Sequence, residues 1–263
     1  MPFKLYWGET HHNTYQQGRQ DPPLTEILAN ARQYLDFYAA AYYMAEQNSA
    51  PLKGVVSAST EPVKGHQTDI LAQSGRSWDG VFYETDKAAE CLEREWQEVQ
   101  SATRLHNEPH AFVTFPGYEW QGDCGWGDHN VFYYEEGAPI HAVRSLPDLY
   151  DLLRGHRAFA IPHHTAYRPG TRAPHWEHCD ESISPFAEIF SIHGSSETDG
   201  TQDGLRRNGH MGPGVGGSTY ESLLALGKRV GVIASTDNWT DCPGQWGHGL
   251  MGCWARELTR AGL

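Results

Sequence analysis

The chain has 263 residues, and 20 Lys and Arg stand against 33 Asp and Glu, so its formal charge at pH 7 is −13. Hydrophobic residues make up 39% and aromatic residues 12%, which excludes an intrinsically disordered chain and allows a sizeable core. The acidic balance disfavours nucleic-acid polymers and anionic membranes as partners, because both are polyanions. No run approaches the roughly 18 apolar residues that a membrane helix requires.

Hydrophobic periodicity predicts strands and helices that alternate along the chain. The predicted strands span 3–7, 35–43, 110–115, 129–134, 158–162, 186–192 and 230–236. The predicted helices span 25–32, 86–107, 146–155 and 218–227, and another is expected to begin near Cys253. Segment 51–78 is interpreted as irregular and 204–217 as a glycine-rich loop. The alternation predicts an α/β fold with parallel strands in a single domain.

Histidine is unusually abundant, with 15 residues that are not gathered in a terminal tag. In α/β folds, functional residues collect where strands end. Most predicted strand ends here carry such residues, namely His11, Asn13, Glu119, His163, His164, His193 and Asp237. A single histidine at one strand end is more often structural, but recurrence at most strand ends favours a metal site. Imidazole and carboxylate groups together suit Zn, Mn or Fe.

The cysteines and the N-terminus bear on localisation. The five cysteines are widely spaced and never form a C-x-x-C pair, which is typical of reduced thiols. The first nine residues contain no apolar core of a signal peptide. We therefore predict a cytoplasmic protein.

Five short motifs resemble those of the PHP superfamily, which is named from polymerase and histidinol phosphatase. They are Trp7-Gly-Glu-Thr-His11-His-Asn13, Pro116-Gly-Tyr-Glu119-Trp, Ile161-Pro-His163-His164, Glu188-Ile-Phe-Ser-Ile-His193 and Ala234-Ser-Thr-Asp237-Asn-Trp239. They follow the family's order, and the chain is similar to a PHP-related family of uncharacterised hydrolase-like proteins. The resemblance implies a distorted (β/α)7 barrel that holds metal ions at the C-terminal rim of its strands.

The resemblance also implies two metal sites that share one glutamate. The first set of ligands is His11, Asn13, Glu119 and Asp237, and the second is Glu119, His129 and His163. Asn13 stands where the family has a histidine, and its amide oxygen is a weaker ligand for a transition metal. One tightly bound and one loosely bound ion is therefore an alternative, and the choice between His163 and His164 stays open.

The family's third metal site is missing from this sequence. Its ligand positions hold Arg19, Tyr43 and Trp239, none of which suits a divalent cation. Because all three losses fall on one site, we expect two divalent ions, of Zn, Mn or Fe. Arg19 would take the place of the missing cation in substrate binding and catalysis by binding an anionic group. Tyr43 is predicted to contact the substrate beside it.

The function implied by the resemblance is metal-dependent hydrolysis, most directly of a phosphoester in a small anionic substrate. His193 is the predicted proton shuttle, and His164 and Arg168 are predicted to contact the substrate. Two alternatives stay open: a non-catalytic binding module with a degenerate metal site, and a metal-dependent enzyme acting on acidic or sulfated sugars.

The domain organisation is predicted as one PHP-like domain over residues 1–263. Members of the PHP superfamily continue beyond a point equivalent to Leu263, so a truncated domain is the alternative to a complete one. The sequence makes no prediction of oligomeric state.

Overall fold

A computed structural model describes residues 2–13, 15, 22–44, 85–122, 125–167, 172–198, 217–240 and 242–263. These residues form a mixed α/β structure with several sheets and four α-helices. Arg19, Arg168, segment 51–78 and all but the last residue of loop 204–217 lie outside the described residues, so these sequence predictions stay untested.

The helices fall close to their predicted positions. They are α1 (Leu24–Ala31), α2 (Thr85–His106), α3 (Leu146–Leu153) and α4 (Tyr220–Ala225), and a 3₁₀ helix spans Trp176–His178. α3 shows why such a segment becomes helical. The Ser145 hydroxyl accepts a hydrogen bond from the Asp148 N–H at the N-cap, and one face of the helix is buried and carries Leu146, Leu149, Tyr150 and Leu153. None of the described helices is long and apolar enough to cross a membrane.

The described residues also form eleven strands. They are β1 (Lys4–Glu9), β2 (Phe37–Ala39), β3 (Tyr42–Tyr43), β4 (Val113–Phe115), β5 (Gly117–Trp120), β6 (His129–Tyr133), β7 (Ala158–Pro162), β8 (Phe186–Ser191), β9 (Gly194–Ser195), β10 (Gly231–Ala234) and β11 (Met251–Ala255). The helix predicted near Cys253 is wrong, because this segment forms β11, which pairs antiparallel with β1.

The predicted (β/α)7 barrel is not confirmed. Over the described part of the chain the strands form three sheets, ordered β11-β1-β2-β4, β3-β5-β6-β7 and β10-β8-β9, and no closed ring. Four strand pairs are antiparallel, which differs from the all-parallel prediction. One reason is local: segment 121–128 between β5 and β6 is shorter than the dozen or so residues that a parallel crossover needs.

The run predicted as one strand at 35–43 divides between two sheets. β2 pairs with β1 and β4 in the first sheet, and β3 pairs with β5 in the second. This segment passes from the first sheet to the second at Ala40, and the adjacent segment, which contains β4 and β5, makes the same passage at Pro116. A side chain at Gly117 would collide with the Ala40 carbonyl, so the glycine permits the two segments to approach each other closely. This step places Tyr43 beside Glu119.

Helix α2 covers the second sheet and supplies the core beneath the site. The Trp96 ring packs edge-to-face on Tyr118 with 5.5 Å between centroids, and its indole N–H donates to the Ala138 carbonyl at 2.8 Å. Both rings are fully buried. Helix α2 therefore packs on the face of the second sheet that carries Tyr118, opposite to the face that carries Glu119.

Candidate metal centre

Polar side chains at strand ends of all three sheets meet in one buried cluster. His11 follows β1 of the first sheet, Glu119 lies in β5 of the second, and Asp237 follows β10 of the third. We call the whole set the polar cluster; it comprises His11, Asn13, Glu119, Asp128, His163, His164, Glu188, His193 and Asp237, all buried. Of the predicted site residues that the structure describes, only Tyr43 and His129 lie outside this definition.

Four groups of three side chains within the polar cluster have ligand atoms close enough to hold a metal ion. In each group the ligand atoms all lie within 4.8 Å of one another. The groups are His11, Glu119 and His163; Asp128, His163 and His164; His164, His193 and Asp237; and His11, Glu188 and Asp237. Neighbouring groups share a residue, so the polar cluster is one continuous set of donors.

His11 is oriented by one carboxylate and faces two others. Its Nδ1 lies 2.9 Å from Glu188 Oε2, whereas its Nε2 lies 3.2 Å from Asp237 Oδ1 and 3.5 Å from Glu119 Oε2. A proton on Nδ1 donates to Glu188 and leaves the Nε2 lone pair between the other two carboxylates. This is the arrangement of a metal-binding histidine whose second nitrogen is fixed by a carboxylate.

The electrostatics of the polar cluster favour a cation. Burial opposes a positive charge on His11, yet Asp237 and Glu188 outweigh it and raise the pKa of His11 well above its usual value. Burial raises the pKa of Glu188 and of Asp237 to about 7. Burial also opposes ionisation of Glu119, but the imidazoles of His11 and His163, which lie 3.5 Å and 3.6 Å from its carboxylate oxygens, hold its pKa well below the usual range. Three buried carboxylates thus share one imidazole.

Asn13 lies where the first predicted ligand set requires it. Its side-chain amide nitrogen donates to Asp237 Oδ1 at 2.8 Å and lies 3.3 Å from His11 Nε2. The amide oxygen and nitrogen exchange places by a 180° rotation of the amide. That rotation would aim the oxygen at the space between His11 and Asp237, as a cation ligand requires.

His163 lies beside Glu119, the ligand that the two predicted ion sites share. Its Nε2 lies 3.6 Å from Glu119 Oε1, and neither of its ring nitrogens has a hydrogen-bond partner among the described residues. Burial, followed by the charge of His11, lowers the pKa of His163 to about 3, so the ring is neutral. A buried neutral imidazole normally donates its N–H to a partner, and a metal bond would satisfy the other nitrogen.

The structure does not bring His129 into the polar cluster. The register of β5 and β6 pairs His129 with Trp120 and Asn130 with Glu119, so His129 lies on the face opposite to Glu119. Its Nδ1 lies 3.0 Å from the Gly127 carbonyl, and its ring packs 5.8 Å from the Trp120 ring. Burial lowers the pKa of His129 to about 4.

Asp128 lies in the polar cluster instead, and sequence reasoning missed it. Its Oδ2 is 3.5 Å from His164 Nε2 and accepts a hydrogen bond from Arg172 Nη1 at 2.6 Å. The signal was available in the sequence, because Asp128 is the last residue before β6 and thus precedes His129 by one position. The PHP resemblance placed the ligand on His129 instead.

Arg172 supplies a cation at the edge of the polar cluster. It is 9% exposed and pairs with Asp128, and its charge also acts on Asp237, whose pKa it lowers against the effect of burial. Its φ of 59° lies in the left-handed region, which costs free energy for a residue other than glycine and occurs preferentially at functional sites.

His193 and His164 occupy the side of the polar cluster near Asp237. His193 Nε2 lies 2.8 Å from Asp237 Oδ2, and its Nδ1 lies 3.3 Å from the Tyr167 hydroxyl. The His164 ring stands between His163 and His193, with 4.3 Å and 5.0 Å between ring centroids. Both predicted residues are therefore next to the predicted metal ligands.

Two of the residues at which the PHP resemblance predicts the loss of a third metal site contact each other. The rings of Tyr43 and Trp239 meet with 4.9 Å between centroids and 61° between planes. The third such residue, Arg19, is not among the described residues. An aromatic contact thus joins Tyr43 and Trp239.

Glu9 connects the segments that carry His11 and Asp237 through hydrogen bonds. This fully buried carboxylate accepts hydrogen bonds from the backbone N–H groups of His11 at 2.9 Å, Thr236 at 3.1 Å and Gly244 at 3.1 Å. The Asp237 N–H donates to the His11 carbonyl at 2.7 Å. Burial raises the pKa of Glu9 to about 7, although these hydrogen bonds oppose the shift.

Replacing Glu9 with alanine is expected to lower the free energy of unfolding by about 3 kcal/mol, because the buried N–H donors of His11 and Thr236 and the half-buried one of Gly244 lose their acceptor. Urea denaturation followed by circular dichroism would measure the loss. Glu93→Ala, which changes an exposed glutamate of α2, is the matched control and is expected to change stability by less than about 0.5 kcal/mol. Equal stability of the two variants would contradict the role of Glu9 in holding these segments together.

Comparisons with known proteins give a likeness of fold. No protein-family model matches the chain, and no curated protein matches it by sequence. A two-domain protein from Bacteroides vulgatus, described as containing a predicted PHP-like metal-dependent phosphoesterase, is 12% identical with a TM-score of 0.51; the match covers 99% of this chain and 61% of that one. PsfC from Pseudomonas syringae is 11% identical with a TM-score of 0.42, over 92% of this chain and 78% of that one.

The chain therefore spans less than two thirds of the Bacteroides protein. At 12% identity this likeness shows a similar fold. The polar cluster, whose side chains come from all three sheets, is the feature on which a functional proposal has to rest.

Proposed function

We propose that this chain is a metal-dependent hydrolase that cleaves phosphoesters of small anionic molecules with the help of two divalent ions. The observation that carries the proposal is the position of Glu119: its Oε2 faces His11 and its Oε1 faces His163, at 3.5 Å and 3.6 Å. A carboxylate whose two oxygens face two different imidazoles is placed to bridge two ions. The metal-dependent phosphoesterase description of the Bacteroides protein supports the same reaction class.

The donor set fits Zn, Mn or Fe, because it mixes imidazole nitrogens with carboxylate oxygens. We assign the first ion to His11, Asn13, Glu119 and Asp237, and the second to Glu119, Asp128 and His163. This keeps the first ligand set that the sequence predicts and takes Asp128 in place of His129 in the second. All groups of three potential ligands found in the described ranges lie within the polar cluster.

The protein's own residues would hold the proton and the substrate. Ions held by these residues would acidify a water and stabilise negative charge on a phosphoryl oxygen. His193, oriented by Asp237 and Tyr167, is the proton carrier that we assign to the leaving alcohol. His164 lies beside it and would contact the substrate.

Arg172 is the group that we assign to bind the anionic part of the substrate. A guanidinium presents several N–H donors in one plane and suits phosphate oxygens. Its Nη1 contact with Asp128 fixes the side chain next to the second proposed ion. This is the role that the sequence analysis gave to Arg19 and Arg168, whose assignments remain proposals.

The proposal is tested first by the metal content of protein purified without added metal or chelator, together with hydrolysis of p-nitrophenyl phosphate. About two ions per chain and metal-dependent hydrolysis are expected. Metal bound without hydrolysis of phosphate, sulfate or sugar esters would favour the binding module. Full activity of metal-free protein would contradict the proposal.

Removal of the metal is also expected to lower the melting temperature. A ligand at 100 times its Kd stabilises the folded state by about 2.7 kcal/mol, which corresponds to roughly 5–10 °C for a domain of this size. Thermal unfolding with and without EDTA, followed by re-addition of Zn²⁺ or Mn²⁺, measures the shift. An unchanged melting temperature after chelation and after re-addition would contradict a metal bound among the buried carboxylates.

A further inference from the structure

We propose that Tyr43 and Trp239 form a subsite for a flat ring in the alcohol part of the substrate, so that the preferred substrates are phosphoesters of ring-bearing alcohols. The inference rests on the proposed function and adds a substrate class to it. It starts from the contact between the two rings, which occupy positions where the resemblance leads one to expect metal ligands.

Tyr43 is placed beside the glutamate proposed to bridge the ions. In the parallel pair β3–β5, Tyr43 is in register with Glu119, and residues in register on adjacent strands direct their side chains to the same face of a sheet. The Tyr43 ring is therefore on the same side as the Glu119 carboxylate. Only 8% of the residue is exposed, so Tyr43 is a largely buried neighbour of the Trp239 ring.

Trp239 approaches from the third sheet, two residues after Asp237. Its backbone is fixed on both sides: the Asn238 carbonyl accepts from the Asn13 N–H at 2.9 Å, and the Thr240 carbonyl lies 2.7 Å from His12 Nε2. Unlike Tyr43, Trp239 is partly exposed. The pair therefore runs from Glu119 towards solvent on the Asp237 side.

This arrangement gives the substrate two chemically different ends. The polar cluster and Arg172 are suited to the phosphoryl group, whereas the aromatic pair offers apolar, polarisable surface next to the same carboxylates. Aromatic rings prefer edge-to-face and offset contacts at centroid distances of 4.5–7 Å, and rings of bases and sugars stack on Trp and Tyr. A short alkyl chain would contact far less of this surface.

The test compares benzyl phosphate with n-propyl phosphate on the metal-loaded protein. We expect Trp239→Ala to lower kcat/KM for the benzyl ester about tenfold more than for the propyl ester. The comparison between variants cancels the intrinsic reactivity of the two esters. Tyr43→Leu should reduce the same preference and Tyr43→Phe should retain it, because phenylalanine keeps the ring. Trp246→Ala, which changes a tryptophan that is 93% exposed, is the control and should not alter the ratio.

Binding of benzylphosphonate and n-propylphosphonate, measured by calorimetry, gives a readout that needs no turnover. The expected result is a selective loss of benzylphosphonate affinity in Trp239→Ala at unchanged metal content. An equal loss for both ligands, or none, in Trp239→Ala and in Tyr43→Leu would overturn the subsite even if hydrolysis continues. If the wild-type protein hydrolyses neither ester, the phosphoesterase proposal fails, and the phosphonate affinities alone decide for or against the subsite.

Discussion

Replacing Glu119 with glutamine is expected to lower kcat for phosphoester hydrolysis by at least about 10³-fold and to reduce the bound metal below two ions per chain. The amide keeps the size of the side chain but replaces one of its two oxygens with a nitrogen donor. It can no longer offer an oxygen to both His11 and His163, which face Oε2 and Oε1 of the glutamate. Steady-state kinetics and plasma mass spectrometry of the purified variant measure the two effects.

The matched control for this variant is Glu177→Gln. The Glu177 side chain is 64% exposed and lies 3.4 Å from His175, outside the polar cluster. This substitution is expected to leave kcat and metal content unchanged. A Glu119→Gln protein with two ions per chain and full activity would rule out the bridging role and with it the assignment of two ions that share one ligand.

Asp128 and His129 are expected to respond in different ways when they are replaced. Asp128→Ala removes a proposed ligand of the second ion and the partner of Arg172, so we expect at least about a 100-fold loss of activity together with loss of metal. His129→Gln removes a buried ring and its contact with the Gly127 carbonyl, so we expect a loss of about 1–3 kcal/mol in the free energy of unfolding at unchanged metal content.

Metal content, activity and urea denaturation of both variants separate these outcomes. Asp151→Ala, at a side chain that is 78% exposed, controls for loss of a carboxylate and should resemble the wild-type protein in all three measurements. If His129→Gln loses metal while Asp128→Ala retains it, the ligand set implied by the sequence resemblance is the correct one.

The difference between these two neighbours shows where prediction from sequence reaches its limit. The strand at 129–134 was predicted almost to the residue, yet the ligand assignment within it depends on which face each side chain occupies. Because side chains alternate between the two faces of a strand, an error of one residue moves a side chain to the opposite face. Only the pairing of His129 with Trp120 showed that the His129 side chain lies on the face opposite to Glu119.

The same argument applies to the arrangement of the strands. Periodicity located most strands and helices to within a few residues, because it records which face of each element is buried. It contained no information on which strands pair or in which direction. After Asp36 the run at 35–43 contains only apolar and aromatic residues, so nothing in it marked the step at Ala40 that divides it between two sheets.

The sequence by itself determined that the protein is an α/β structure in which His11, Asn13, Glu119, His163 and Asp237 belong to motifs at the ends of predicted strands. Spacing along the chain was sufficient for this, because strand ends are local features. Only the tertiary structure decided that three sheets deliver these side chains to one buried cluster, that Asp128 and Arg172 join it, and that the rings of Tyr43 and Trp239 touch. These contacts join residues far apart in the chain, and strand pairing, which decides them, leaves no periodic signal in the sequence.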